Sequence, residues 1–177
     1  ILNTIMSKTD ISCYGFGDGT ATVTPSGGTP PYLYSWSNGQ TSPTAIGLFP
    51  GNYTVNIIDA NGCLFSDIVM ISEPLPLSLS ISVIDATCGN ADGSATLTAS
   101  GGTTPYTYLW SNGASADVLQ GVSPGAYSIT VTDTNGCTIS DSIAINITAL
   151  PNPICIITVD TSSTRNVVVW EKPVVAN

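Results

Sequence analysis

The sequence predicts an all-β chain made of tandem antiparallel sandwiches, and three observations carry that expectation. The chain repeats itself: shifting its 177 residues by 74 places makes 27 of the 55 positions from 18 to 72 identical. Within each copy, apolar residues recur with a period of two, the spacing of a strand with one buried face. The short periodic runs are separated by Gly, Pro and Asn, the residues that form turns. A repeat organises everything else, so two domains are expected at 1–74 and 75–149, with a different segment at 150–177.

The strands follow in order, and the second copy shows them most clearly. Leu75, Leu77, Leu79, Ile81 and Val83 alternate with Pro76, Ser78, Ser80 and Ser82. Ala95, Leu97 and Ala99 alternate with Thr and Ser. Tyr106, Tyr108 and Trp110 face one way while Thr107 and Leu109 face the other. Tyr127, Ile129 and Val131 repeat the pattern, and the stretch after Cys137 closes the copy. Six or seven short strands of this kind make an antiparallel sandwich. Asn38-Gly39, Asn61-Gly62, Asn112-Gly113 and Asn135-Gly136 are expected to supply the positive φ angles of tight hairpin turns.

Four aromatics make the sandwich Ig-like. Trp36 and Trp110 fall on the third strand, where a large ring fills the space between two sheets. Tyr53 and Tyr127 follow Pro-Gly at the start of a strand, which suits a tyrosine corner whose phenol bonds backbone across a loop. All four are read as structural core.

Five cysteines stand at 13, 63, 88, 137 and 155. Cys13 aligns with Cys88 and Cys63 with Cys137, so each copy has one early and one late cysteine. The simplest connectivity is a bridge inside each copy, Cys13 to Cys63 and Cys88 to Cys137. Closing a loop of about 50 residues would contribute roughly 4 kcal/mol in the chain-entropy model. Zinc would call for closer ligand pairs and usually His. Such staples imply an oxidising compartment. The segment 150–177 carries two β-rich runs, Ile154 to Val159 and Val167 to Trp170. They are read as the start of a third β domain or as strands docking on the preceding copy. Cys155 there is a buried free thiol or pairs beyond the end.

Charge excludes several classes. Three Lys and Arg against twelve Asp and Glu give a net charge of −9, and there is no His. Affinity for nucleic acid comes largely from cations displacing counterions, so neither nucleic acid nor an anionic membrane surface is expected as a partner. No apolar run approaches the roughly 20 residues needed to cross a bilayer. The start, Ile1-Leu2-Asn3-Thr4-Ile5, has neither an initiator Met nor a basic leader, so the true N-terminus is expected elsewhere. Without His there is no Ser-His-Asp or Cys-His arrangement, and no enzyme and no cofactor are expected.

The repeated acids Asp18, Asp59, Asp67, Asp92, Asp133 and Asp141 could serve a glycosidase as carboxylate pairs, but each lies beside a Gly or Asn turn or on a strand. Turn-forming and solvating roles fit them better. Calcium is an alternative: Asp18, Asp92, Asp59-Ala60-Asn61 and Asp133-Thr134-Asn135 offer hard oxygens, although no Asp-x-Asp-x-Asp spacing occurs. Glycan binding is another, through Tyr14, Phe16 and Phe49, which the second copy replaces with Gly89, Ala91 and Ser123.

The ordered motifs Cys, Asp-Gly-Ser/Thr-Ala-Thr, Gly-Gly-Thr, Pro-Tyr-x-Tyr-x-Trp-Ser-Asn-Gly, Pro-Gly-x-Tyr and Asp-x-Asn-Gly-Cys resemble the SprB-type repeat of giant surface proteins in gliding and related Bacteroidetes. The match covers 13–63 and 88–137 with their flanking strands. The resemblance implies type IX secretion, an extracellular location at the cell surface, and service as an adhesin or stalk segment. Surface glycans, host or substratum surfaces and other domains of the same chain are the implied partners. The tail, Ile154 to Asp160 with Val168 to Pro173, looks like the start of a fibronectin-type-III-like domain.

Overall fold

The computed structural model describes residues 1–148. The two expected tail strands and Cys155 lie outside the described residues. Every regular element described is a strand. The chain divides into two compact units. The first comprises Ile1–Ser78 with Ser100–Tyr106 and Thr132–Thr138; the second comprises Leu79–Ala99, Thr107–Val131 and the segment from Ile139. Two loops of the second sequence copy thus belong to the first unit.

In the first copy, β1 (Asn3–Thr9), β2 (Gly19–Ser26) and β4 (Thr44–Leu48) form one sheet in the order β1-β2-β4. The strands β3 (Leu33–Trp36), β5 (Gly51–Ile58) and β6 (Leu64–Ile71) form another in the order β3-β5-β6. All pairings are antiparallel. Inward-facing residues of both sheets meet in one core: Ala21 and Val23 of β2, Ala45 and Leu48 of β4 on either side of a register shift, Trp36 of β3, Val55 and Ile57 of β5, and Val69 and Ile71 of β6. This is two-layer sandwich packing, with one face of each strand buried and the other wet.

The second copy repeats the plan with β7 (Ser78–Ile84), β9 (Gly93–Ser100) and β11 (Val118–Val122) in the order β11-β9-β7. Its other sheet has β10 (Thr107–Trp110), β12 (Gly125–Thr132) and β13 (Thr138–Ile145) in the order β10-β12-β13. A two-residue parallel pair, β8 (Ala86–Thr87) with β14 (Ile147–Thr148), is added. Ala95, Leu97, Trp110, Leu119, Ile129, Val131 and Ile145 are buried.

Each tryptophan ends its strand inside the core, and its one polar atom is satisfied. Trp36 Nε1 donates to the Ser42 carbonyl at 2.8 Å and Trp110 Nε1 to the Ala116 carbonyl at 2.9 Å. Burying such a ring with its donor paired contributes roughly 4–6 kcal/mol of transfer free energy. The tyrosines are half-buried. Tyr53 Oη donates to the Phe49 carbonyl at 3.1 Å and Tyr127 Oη to the Ser123 carbonyl at 2.9 Å, each bond closing the loop that precedes its strand.

The Asn-Gly turns differ from expectation. Gly39, Gly62, Gly113 and Gly136 have φ between 80° and 87°, but among the described residues no non-glycine has a positive φ. A two-residue type I′ hairpin, the form Asn-Gly favours, would need both angles positive. Instead Gly39 N donates to the Trp36 carbonyl, and Trp36 N to the Gln40 carbonyl, both at 2.9 Å. The loop therefore has three residues, with a left-handed glycine closing a turn of ordinary hand.

Candidate functional site: a donor loop and a receptor loop

Two loops in each copy collect the polar residues that the repeat preserves. The first follows the opening strand. In the first copy, Asp10 accepts Ser72 N at 2.8 Å and Lys8 Nζ at 2.9 Å. Ile11 N donates to the Ser72 carbonyl at 3.0 Å while the Ile11 side chain is buried, so this stretch is pinned beside the end of β6. Asp18 then holds Ser12, accepting its N–H at 3.1 Å and its hydroxyl. In the second copy, Asp92 accepts Thr87 N at 2.7 Å and Thr87 Oγ1 at 2.5 Å.

Hydrogen bonds to a carboxylate favour its charged form. The Ser12 hydroxyl, followed by its N–H, holds Asp18 below the usual aspartate value, and Thr87 does the same to Asp92. Asp10 is lowered chiefly by the Ser72 N–H. Asp18 and Asp92 therefore clasp the hydroxyl–cysteine stretch. Their neighbours Gly19 and Gly93 open strands β2 and β9 and are not turn residues.

The second loop surrounds the late cysteine. Asp59 is buried, and its carboxylate accepts Thr29 N at 3.0 Å, Asn61 N at 3.0 Å and Cys63 N at 2.8 Å. Asp133, also buried, accepts Thr103 N at 2.8 Å, Asn135 N at 2.9 Å and Cys137 N at 2.8 Å. The Cys63 N–H is the largest cause of a lowered pKa at Asp59. Glycine is required across from each carboxylate. A Cβ on Gly28 would stand 3.0 Å from Asp59 Oδ2, and one on Gly102 2.7 Å from Asp133 Oδ2, both at positive φ. The Gly-Gly-Thr and Asp-x-Asn-Gly-Cys motifs are thus two halves of one clasp.

The first unit joins a donor loop to a receptor loop. Cys13 is disulfide-bonded to Cys137, with 5.7 Å between Cα atoms and 124 residues between them in sequence. Beside the bridge, Asn135 Nδ2 donates to the Ser12 carbonyl at 2.9 Å, and the Cys137 sulfur lies 3.4 Å from the same oxygen. Cys88 is also disulfide-bonded, while Cys63 is free and exposed.

This corrects the expected pairing of Cys13 with Cys63 and Cys88 with Cys137, and it removes Cys63 from the staples. The reason is strand length. Cys63 immediately precedes β6, whereas Ile11, two residues from Cys13, bonds Ser72 just past the far end of β6. Traversing that strand takes nine residue steps, about 30 Å at the usual rise. A disulfide needs Cα atoms within about 7 Å. The early and late cysteines of the first copy occupy opposite ends of its sandwich, and Cys137 is already committed to Cys13.

Asp67 lies within β6 and accepts Thr4 Oγ1 at 2.7 Å, and Asp141 within β13 accepts Ser142 N at 2.7 Å. Among the described residues no group of three His, Cys, Asp or Glu side chains is arranged to hold a metal ion. The carboxylate oxygens of Asp59 and Asp133, which calcium would need, are turned onto N–H donors. Tyr14, Phe16 and Phe49 are each more than half exposed. The Phe49 ring lies so close to Gly17 that a Cβ there would meet it at 2.7 Å.

The architecture is that of tandem Ig-like sandwiches, and the sequence match is more specific. The SprB repeat family model matches this chain at two tandem positions, residues 6–41 and 80–115. No curated protein matches. Among solved structures, the chain is similar to three N-terminal domains of the bacteriophage RB49 highly immunogenic outer capsid protein (Hoc). That match has 17% identity and a TM-score of 0.52, covering 84% of this chain and 59% of that one. A second is the C-terminal 282-residue fragment of intimin in complex with the intimin-binding domain of its translocated receptor. It has 16% identity and a TM-score of 0.48, covering 81% of this chain and 64% of that one. The chain therefore spans about three-fifths of the length of each.

Proposed function

We propose that the chain is a non-catalytic structural or adhesive segment of a larger extracellular surface protein, with its repeats arranged in series. The observation that carries this is how the repeated residues are used. Asp18 and Asp92 clasp a cysteine loop, Asp59 and Asp133 clasp another, the tryptophans fill cores and the tyrosines tie loops. The four repeated aspartates of these loops are spent on holding the chain's own N–H and hydroxyl groups, which suits a spacer. Display at the cell surface, and service as a stalk or adhesin, are supported by the SprB repeat match. The test is a turnover assay on a panel of polysaccharides, esters and peptides. No turnover is expected; turnover abolished by Asp59→Asn or Asp133→Asn would overturn the reading.

Carbohydrate binding is a second reading with one observation in its favour. Tyr14, Phe16 and Phe49 are exposed, with fractions of 56%, 55% and 59%, and the second copy lacks them. A glycan array would show saturable binding lost in Tyr14→Ala and Phe16→Ala if these rings carry it. Binding unaffected by either change, or absent altogether, would remove it.

A further inference from the structure

The receptor loop exists twice and is used once. Around Cys63, the Asp59 carboxylate accepts from residues 29, 61 and 63 at 3.0, 3.0 and 2.8 Å; around Cys137, Asp133 accepts from 103, 135 and 137 at 2.8, 2.9 and 2.8 Å. Asn61 Nδ2 donates to Thr29 Oγ1 at 2.8 Å just as Asn135 Nδ2 donates to Thr103 Oγ1 at 3.1 Å. The differences are what the second loop adds: Asn135 gives its other amide hydrogen to the Ser12 carbonyl, and Cys137 is bonded to Cys13. The second amide hydrogen of Asn61 has no acceptor among the described residues, and the Cys63 thiol is free and exposed. The first receptor is therefore already folded in the shape that holds a hydroxyl–cysteine loop, so filling it requires little reordering.

We propose that the loop from Asp59 to Cys63 is a docking site for the hydroxyl–cysteine loop of another copy of this repeat, closed by a disulfide to Cys63. The occupant is defined by chemistry. It presents a backbone carbonyl to Asn61 and, one residue later, a cysteine to Cys63, as Ser12-Cys13 does for Asn135 and Cys137. Successive copies are then stapled early cysteine to late cysteine, each bridge running from one copy to the next. The proposal rests on reading the chain as a segment of a repeat array.

The covalent step is thiol–disulfide exchange with a small disulfide such as oxidised glutathione. The incoming cysteine first forms a mixed disulfide with one glutathione, releasing the other as a thiol. The Cys63 thiolate then attacks the incoming cysteine's sulfur, and the second glutathione leaves as a thiolate. Two protein thiols lose two electrons and two protons, and one oxidised glutathione becomes two reduced ones.

The test adds a third copy ahead of the intact chain: residues 1–74 bearing Cys63→Ser, joined to Ile1. The added Cys13 and the original Cys63 are then the donor and the receptor. After oxidation in glutathione buffer, alkylation and non-reducing peptide mapping, a linked peptide joining a Cys13 segment to a Cys63 segment is expected, with neither thiol labelled. In the unextended chain, Cys63 takes the label. A control moves the receptor thiol by Cys63→Ser with Ser66→Cys, on the exposed Ser66 nearby, and linkage at least tenfold lower is expected. Asn61→Ala in the extended chain should slow linkage several-fold. Two labelled thiols in the extended chain, or equal linkage at position 66, would overturn the proposal. Either failure leaves the non-catalytic reading standing, because turnover is measured separately.

Discussion

The loops Asp59–Cys63 and Asp133–Cys137 have the same sequence pattern and the same three N–H bonds to the buried carboxylate, yet one ends in an exposed thiol and the other in a disulfide. Local structure is thus fixed by the copy itself, through a buried carboxylate that gathers three N–H groups. Chemistry is fixed by what meets the copy. A buried carboxylate whose oxygens are filled by backbone donors is a rigid mount, and here the same mount is used in one place and left open in the other.

The largest effect should separate the two loops most sharply. Cys137→Ser or Cys13→Ser removes a bridge spanning 124 residues, worth about 5 kcal/mol in the chain-entropy model. Cys63→Ser should change stability by no more than about 0.5 kcal/mol, as for an exposed site. Denaturant unfolding of the three variants measures this, and equal losses at positions 13 and 63 would break the comparison. Next come the cores, where the copies should behave alike. Trp36→Ala and Trp110→Ala should each cost about 3–5 kcal/mol by cavity formation, and a large disparity would show that one sandwich relies on its tryptophan less.

The pairing of the cysteines was the part of the site least legible in the sequence. The alignment of Cys13 with Cys88 and of Cys63 with Cys137 identifies them as repeat features, but a disulfide depends on which ends of which strands come together. The signal that carries this is positional. Cys63 stands directly before an eight-residue strand, and the early cysteine lies in the loop pinned beside that strand's other end. The sandwich, its buried tryptophans and the tyrosine ties were legible because period-two alternation and turn residues are local. The roles of Asp59 and Asp133 were hidden because their partners Thr29 and Thr103 lie 30 residues away. In the sequence they look like turn residues; in the fold they are buried hubs.

Smaller effects sharpen the same comparison. Tyr53→Phe and Tyr127→Phe each remove one hydrogen bond and should cost about 0.5–1.5 kcal/mol, equally in both copies; a thermal-melt shift confined to one would separate them. The smallest effect at neutral pH is electrostatic. Asp10, Asp18, Asp59 and Asp92 have folded pKa values below the usual aspartate value. A lowered folded pKa means the contribution is fully present above the unfolded value of about 4 and is lost as pH falls through the folded one. Melting temperature should therefore be insensitive to these groups from pH 8 to 5 and fall below about pH 4, with Asp18→Asn and Asp92→Asn blunting the fall.

The central claim is that the staple runs from the early cysteine of one copy to the late cysteine of the other. Alkylation under native conditions followed by non-reducing peptic digestion and mass spectrometry tests it directly. Pepsin suits a chain with so few basic residues, and its acid medium suppresses disulfide exchange. A linked peptide joining Cys13 to Cys137, with the alkyl label on Cys63, is the predicted result. A peptide joining Cys13 to Cys63 would contradict it.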